Sequence, residues 1–378
     1  MRYDDAVCRF EMWHDLEDMD EPRRFVARIV ELLPAAAFAL PVNMEPTDAG
    51  LTAWLARRTL PKNRANIISF LAKMHLDERD KVGILDVSFG LSLNDAFWIW
   101  NEENGAPLRF DDINLYDNDF SDIVALMAFT GEGSVSDSRS LGSSPEYTTG
   151  GMLAKAWRRI EGRICLYKTG TEGFVNAGFE PYSEHLASQV AERMGLRAVE
   201  YRFEMWKNRL CSVCELFTSK DIAFVNAGSL VRSGGMRAVL AYYRTLGESY
   251  YQQLVSMLAF DGVIANQDRH FGNFGLLVGR DNSFVDTAPL FDQGISLFVY
   301  AHGEDWDDLD RYLLDHRPAT YESYIDFVKP CLGDEQRRQI ERLSGFTFER
   351  HPIHNLSEWR YEKLEAFIAN QAEKLLSA

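Results

Sequence analysis

The sequence has little that would suit it to a membrane or to a nucleic-acid surface. It carries 40 Lys and Arg against 57 Asp and Glu, a formal net charge of −17 at pH 7. Such an acidic excess argues against a broad footprint on a phosphate backbone, because that contact needs basic faces. No apolar run reaches the roughly 18 residues that span a bilayer. We therefore expect neither direct nucleic-acid binding nor a membrane partner.

Cysteines are few, scattered and odd in number, at Cys8, Cys165, Cys211, Cys214 and Cys331. Residues 1–5 are acidic and lack the basic-then-apolar order of a secretory signal, so we expect a cytoplasmic protein with reduced thiols. Cys211 and Cys214 have the spacing of a redox or metal pair. They lie inside the apolar run 210–217, which favours a buried strand instead.

The order of apolar patterns predicts an α+β fold. The sequence has 378 residues, enough for two or three domains, and no internal repeat or low-complexity tract. Near the start, residues 24–33 predict a helix that Pro34 ends. Residues 152–169 predict two strands joined by a hairpin turn at Glu161-Gly162.

Alternating patterns continue beyond this hairpin. Pro181 marks the first turn of a helix that Gly195 ends. Two further strands follow over 198–206 and 210–217, and the chain after Ser219 is mainly helical. The chain is therefore predicted to have a β-rich part followed by a helical part.

Three polar residues have the spacing of a phosphoryl-transfer centre. Asp268 precedes Asn273 by five positions, and Asp292 follows nineteen residues later, after two apolar segments. Two strands joined by a turn would return Asp292 to Asn273, so both could hold one Mg²⁺ through hard oxygen ligands. Asp268 would then accept the proton of the attacking hydroxyl, with ATP as the phosphoryl donor. The alternative is that Asp and Asn are ordinary turn residues in a Gly-containing loop.

A phosphate-binding cation is expected from the earlier strands. Lys168 ends the apolar strand Ile164 to Tyr167 and shares a face with Ile164 by two-residue alternation. Glu184, in the first turn of the next helix, is its predicted partner, as in the strand-lysine and helix-glutamate pair of kinases. Lys155 is the competing candidate for the phosphate lysine. The alternative explanation of Glu184 is that a carboxylate near the start of a helix interacts favourably with the helix dipole.

Two segments are candidates for nucleotide contacts. Residues 142–151, which include Ser144 and Gly150, could present backbone N–H groups to phosphates, although their composition also suits a solvent-exposed loop. Glu215 and Phe217 close the last strand of the β-rich part. We expect a nucleotide hinge there, with Phe217 beside the adenine.

Together these motifs resemble the HipA-like kinase family. The similarity is carried by Asn266 to Phe274 (NQDRHFGNF) and by Phe291 to Gly294 (FDQG), and it extends over residues 140–300. It also covers Ser144-Pro145-Glu146, the Lys168 strand and residues 214–217. Members of this family are bacterial serine/threonine kinases, several of them toxins held by a DNA-binding antitoxin.

The resemblance implies a bilobal protein-kinase-like fold with a β-rich N-terminal lobe and a helical C-terminal lobe. Residues 1–110 would form an accessory segment packed on the N-lobe, 111–217 the N-lobe and 218–378 the C-lobe.

The resemblance also implies roles for particular residues. Asp268 would be the base and Lys168 the phosphate lysine. The Mg²⁺ ligands would be Asn273 and Asp292, and Glu215 and Phe217 would contact the nucleotide. Family members phosphorylate a serine in the Gly/Ser loop, for which Ser143 and Ser144 are the candidates here.

Two other functions remain open from the sequence. One is a kinase acting on a small hydroxylated molecule or a lipid headgroup, since related bilobal folds phosphorylate such molecules as well as proteins. The other is a non-catalytic nucleotide-binding or interaction module. The sequence identifies no protein substrate, and an antitoxin partner is implied by the resemblance alone.

Overall fold

The structure, a computed structural model, describes residues 1–15, 24–60, 66–73, 76–77, 79–132, 144–173 and 178–377. The chain divides into two compact units. The first comprises Met1–Tyr167, Thr218–Phe224 and Leu277–Phe284, and the second comprises Lys168–Phe217, Val225–Leu276 and Val285–Ala378. Both contain helices and strands, so the fold is α+β, as predicted. The predicted domain boundaries at residues 110 and 217 stay a prediction.

The first unit begins with an antiparallel pair, β1 (Cys8–Asp15) and β2 (Arg24–Leu32). The helix predicted for residues 24–33 is therefore wrong. Phe25 and Ala27 alternate on one buried face of β2, and their cross-strand partners on β1 outweigh the local helical pattern. A β-bulge interrupts the register between Arg9 and Phe10.

Six α-helices lie in the part of the first unit that the structure describes. They are α1 (Ala36–Ala39), α2 (Asp48–Ala56), α3 (Ile67–Lys73), α4 (Lys81–Ser88), α5 (Phe110–Ile113) and α6 (Asp122–Thr130). One core cluster joins Phe70 and Leu71 with Met127 and Tyr147. The segment before residue 110 and the segment after it thus share a hydrophobic core.

The predicted hairpin is present as β3 (Lys155–Ile160) and β4 (Arg163–Thr169). Its turn residues Glu161 and Gly162 have φ values of 50° and 79°, as a two-residue type I′ turn requires. The division between the units falls inside β4. The strand order of this sheet is β3-β4-β6-β5, where β5 is Arg202–Trp206 and β6 is Arg209–Glu215.

In the second unit β5 and β6 form an antiparallel hairpin. Lys207 and Asn208 at its turn also have positive φ values, 51° and 59°. Cys211 and Cys214 are buried in β6, which confirms the buried strand predicted for this run. The last residues of β4 lie next to β6, since the Ser212 hydroxyl donates to the carbonyl of Lys168 at 3.3 Å, and Lys168 is buried.

A second sheet has the strand order β7 (Ile222–Asn226), β8 (Gly275–Gly279) and β9 (Phe284–Thr287). The helices of the second unit are α7 (Glu180–Met194), α8 (Ala227–Leu230), α9 (Gly235–Leu246), α10 (Glu248–Ile264), α11 (Leu309–Asp315), α12 (Asp334–Glu341) and α13 (Glu358–Leu376). Within the described ranges, none of the helices combines the length and apolarity needed to cross a bilayer. The predicted helix that Gly195 ends is α7.

Candidate active site

Lys168 is a buried cation at the end of β4. Only 6% of the residue is exposed, and its Nζ pairs with the Glu184 carboxylate and lies 2.5 Å from Asp292 Oδ1. Burial by itself would lower the pKa of Lys168, but the two carboxylates outweigh it and hold that pKa above its usual range. The side chain therefore carries a positive charge between two acidic groups, of which Glu184 is the partner expected from the sequence and Asp292 is an additional one.

Helix α7 fixes the position of Glu184 beside this lysine. The Ser212 hydroxyl of β6 donates a hydrogen bond to the Glu184 carboxylate, which is fully buried. On the same helix, the Ser183 hydroxyl lies 2.9 Å from the backbone carbonyl of Gln293. Burial raises the pKa of Glu184, and the nearby Asp292 carboxylate adds to the increase. Thus α7 holds both the glutamate and the loop that contains Asp292.

The backbone of Asp292 is held in an uncommon conformation. Its φ of 58° is in the left-handed region, and its N–H donates a 3.0 Å hydrogen bond to the Tyr201 hydroxyl. Phe291, the residue before Asp292, packs against Phe217, and the centroids of the two rings lie 5.2 Å apart. A strained backbone of this kind is typical of residues that a site must orient.

Asp268 lies in the loop after α10. Its N–H donates to the side chain of Asn266 at 3.1 Å, and the Asn273 side-chain amide donates to the Asp268 carbonyl at 3.1 Å. The second bond directs the Asn273 amide nitrogen into the loop, which leaves its oxygen as the available metal-ligating atom. Burial raises the pKa of Asp268, and the charge of Asp292 raises it further while that of His270 lowers it.

An ion pair that the sequence analysis missed holds this loop together. Arg269 and Asp261 are both fully buried and 2.9 Å apart. The Arg269 guanidinium also donates to the backbone carbonyls of Asn273 at 2.8 Å and of Phe291 at 3.0 Å. One side chain thus fixes the backbone at both predicted metal ligands. The available sequence signal was an aspartate, Asp261, within an otherwise apolar stretch of α10.

The predicted phosphate-loop residues lie in the first unit. Ser144 is buried, and its hydroxyl accepts a hydrogen bond from the N–H of Glu146 at 3.3 Å. The carbonyl of Gly150 accepts from the Lys155 ammonium at 2.9 Å, so the competing lysine contacts this loop. Ser143 lies outside the described residues.

The two predicted hinge residues lie in the second unit. Glu215 is exposed at the end of β6, and Phe217 packs beside Phe291. The structure brings Lys168, Glu184 and Asp292 into direct contact.

The cluster in the second unit has the components of phosphoryl transfer. A buried cation can neutralise phosphate oxygens, and a carboxylate and an amide oxygen can ligate Mg²⁺. A partly buried aspartate, Asp268, lies on the same loop. Its raised pKa moves it toward the range in which a carboxylate exchanges protons efficiently.

Comparison with known proteins finds similarity to kinases. No protein-family model matches the sequence. A curated relative, the serine/threonine-protein kinase CtkA of Helicobacter pylori, is 26% identical over 180 residues, covering 44% of this chain and 54% of that protein. The chain thus spans about half the length of the curated relative it matches.

Two solved structures are also similar. The crystal structure of the Helicobacter pylori proinflammatory kinase CtkA has a TM-score of 0.44 and 16% identity, covering 59% of this chain and 91% of that one. HipA of the Shewanella oneidensis MR-1 toxin–antitoxin system was solved with HipB and operator DNA. It has a TM-score of 0.49 and 10% identity, covering 97% of this chain and 93% of that one. The similarity to serine/threonine kinases predicted from the sequence is confirmed by the curated relative.

Proposed function

We propose that this chain is an ATP- and Mg²⁺-dependent serine/threonine kinase of the HipA-like type. The observation that carries the proposal is the position of Lys168 Nζ between the carboxylates of Glu184 and Asp292. Arg269 binds the backbone of Asn273 and of the residue before Asp292, and thereby holds the two metal-ligand candidates in one cluster.

Each residue of the cluster has one role in this proposal. Bound MgATP supplies the phosphoryl group and neutralises part of its charge. Asn273 and Asp292 hold the metal ion, and Lys168 binds phosphate oxygens. Glu184 orients the lysine. Asp268 accepts the proton of the attacking hydroxyl.

The remaining predictions belong to the same proposal. Glu215 and Phe217 would contact the nucleotide, and Ser144 and Gly150 would lie over its phosphates. Autophosphorylation is proposed at Ser143 or Ser144. Ser144 is only 2% exposed and bonded within its turn, so its modification requires that turn to open. An antitoxin partner follows from the sequence resemblance, and a cytoplasmic location follows from the acidic start of the sequence and its lack of a long apolar run.

Incubation of the purified chain with γ-labelled ATP and Mg²⁺ tests the activity. The Asp268→Asn variant serves as the inactive comparison, and mass spectrometry locates any phosphate. Phosphate on the wild-type protein alone supports a protein kinase, and phosphate at Ser143 or Ser144 supports self-modification.

Two other results would change the assignment. Mg²⁺-dependent ATP binding without phosphate on the protein or on added protein substrates would favour a kinase of small hydroxylated molecules. No nucleotide binding at all would contradict the kinase proposal and favour an interaction module.

Glu184→Gln is expected to lower kcat/KM about 100-fold, because a lysine that is displaced by about 1 Å no longer meets the phosphates. Glutamine keeps the size of the side chain but loses the charge that pairs with Lys168. Kinetics of phosphate release or transfer measure the effect. Glu192→Gln, an exposed position on the same helix, is the matched control and should leave the rate unchanged. An unchanged rate for Glu184→Gln would remove its orienting role.

His270→Ala is expected to move the acid limb of the pH–rate profile to higher pH. The charge of His270 lowers the pKa of Asp268, so its removal raises that pKa and the base is protonated at a higher pH. The pH dependence of kcat/KM gives the midpoint. His302→Gln, at another exposed histidine, is the control. A shift to lower pH would contradict Asp268 as the base.

A further inference from the structure

The outer edge of β2 is covered by helix α2. The N–H of Ala27 donates to the Thr52 hydroxyl at 2.9 Å, and this hydroxyl donates to the carbonyl of Ala27 at 3.1 Å. The N–H of Ile29 donates to Asp48 Oδ1 at 2.8 Å. Both acceptor side chains belong to α2, so a helix supplies the hydrogen bonds that a third strand would otherwise make.

These bonds also show which backbone groups of β1 point away from β2. In an antiparallel pair the N–H and C=O of one residue point to the same side, and successive residues alternate. Because Ala27 and Ile29 point away from β1, the residues opposite them point away from β2. The outward residues of β1 are therefore Cys8, Phe10, Met12 and His14. Within the described residues, none of the four has a backbone hydrogen bond on its outward side.

The outer edge of β1 has no covering element among the described helices and strands. β1 pairs only with β2 in its sheet, and the helix that packs against it is α4. The N-cap of α4, Asp80, binds the ring of His14 at 3.3 Å. Buried N–H and C=O groups are nearly always paired, so a row of unpaired groups indicates a solvated edge. Such an edge, eight residues long, is a template for another strand.

The charges beside this edge are complementary to those of a second copy of the chain. Arg9 and Glu31 lie opposite each other and form a 3.0 Å ion pair, while Asp15 lies opposite Arg24. A two-fold axis perpendicular to the sheet at Met12 pairs β1 with itself in antiparallel order. It sets Arg9 of one copy opposite Asp15 of the other. The signs then alternate across four strands in the order Glu31, Arg9, Asp15 and Arg24.

Neighbouring registers lack this complementarity. A shift of two residues keeps the outward backbone groups aligned, because their direction alternates along the strand. One such shift sets Glu11 opposite Glu11, and the other sets Glu11 opposite Asp15. Like charges directly opposite are destabilising. In the register centred on Met12, Glu11 lies opposite Trp13 instead. The two Trp13 side chains, each 39% exposed in the single chain, become diagonal neighbours within reach of each other.

We propose that the outer edge of β1 binds a second copy of this chain and joins the two β1–β2 pairs into one four-stranded sheet. Met12 lies at the two-fold axis, and on each side of it Arg9 forms an ion pair with Asp15 of the other copy. This dimer does not involve the phosphoryl-transfer residues, so its test is independent of the kinase proposal. The competing occupant of the edge is an extended segment of another protein.

Sedimentation equilibrium of the full chain measures the association. We expect a monomer–dimer equilibrium with a dissociation constant of about 1–100 μM, because the contact is only one strand pair wide. Asp15→Arg places like charges opposite each other twice in each dimer, and it should weaken association at least about ten-fold. Arg9→Asp should weaken it by a similar factor. Asp112→Arg, the same charge change at an exposed position of α5, is the control and should leave association unchanged.

A mixture of the two charge variants tests the register itself. When Arg9→Asp and Asp15→Arg chains are combined in equal amounts, opposite charges face each other again at both contacts. We therefore expect a heterodimer with nearly wild-type affinity, although each variant alone associates weakly. Melting midpoints show whether the variants are folded, since Arg9 also binds Glu31 and Glu102 in its own chain. If Arg9→Asp is unfolded, Asp15→Arg and its control decide the outcome.

Three results would overturn the proposal. A wild-type chain that stays monomeric above the expected concentration range would leave the edge to a segment of another protein. A dimer that folded Asp15→Arg does not weaken would have its interface elsewhere on the surface. Equal weakening by Asp112→Arg would show that association responds only to net charge.

Discussion

Asp268→Asn is expected to lower kcat about 1,000-fold while leaving nucleotide binding nearly intact. A positioned general base contributes roughly 10²–10⁴ to the rate, and asparagine cannot accept the proton. The bond from Asn273 to this loop uses the Asp268 backbone carbonyl, so the substitution does not remove it. The variant also loses a negative charge that acts on Asp292, so any change in MgATP affinity should be toward tighter binding.

Two measurements separate this role from the others. Single-turnover kinetics give the chemical step, and titration with MgATP gives the dissociation constant. Asp315→Asn, an exposed aspartate at the end of α11, is the control and should leave both unchanged. Loss of affinity together with activity would make Asp268 a metal or nucleotide ligand, and full activity would exclude it from the site.

The pairing of Lys168 with Glu184 could be predicted because it depends on short-range regularities, whereas the contact of Lys168 with Asp292 spans 124 residues and was not predicted. Two-residue alternation in a strand places Lys168 on the inner face, and the hairpin turn residues fix where that strand begins. The spacing from Asp268 to Asn273 lies within one loop. The return of Asp292 toward Asn273 was expected from two strands joined by a turn. The strands β8 and β9 are neighbours in one sheet, and their connection is again local.

Other features depend on partners far away along the chain. Residues 24–33 have a helical apolar pattern, yet their cross-strand contacts with β1 make them a strand. Arg269 binds carbonyls of Asn273 and Phe291, and nothing in its own neighbourhood indicates the second of these bonds. A sequence shows side-chain types, whereas backbone acceptors of this kind become visible only with the tertiary fold.

The Arg269–Asp261 pair gives the largest expected effect on stability. Arg269→Met should lower the free energy of unfolding by about 3–5 kcal/mol, because it leaves the Asp261 carboxylate buried without its counter-charge. Urea unfolding followed by fluorescence measures the loss. The double variant Asp261→Asn with Arg269→Met removes the buried charge as well. It should therefore recover a large part of the stability.

The same variants separate stability from catalytic positioning. The double variant still lacks the hydrogen bonds to the carbonyls of Asn273 and Phe291, so its MgATP affinity and kcat should stay low although it is folded. Arg269→Lys keeps a charge for Asp261 but has no planar fork with which to reach both carbonyls, and it should behave in the same way. Recovery of activity along with stability would show that the pair serves only the core. If stability recovers and activity does not, Arg269 is a positioning residue that acts through the two metal-ligand segments.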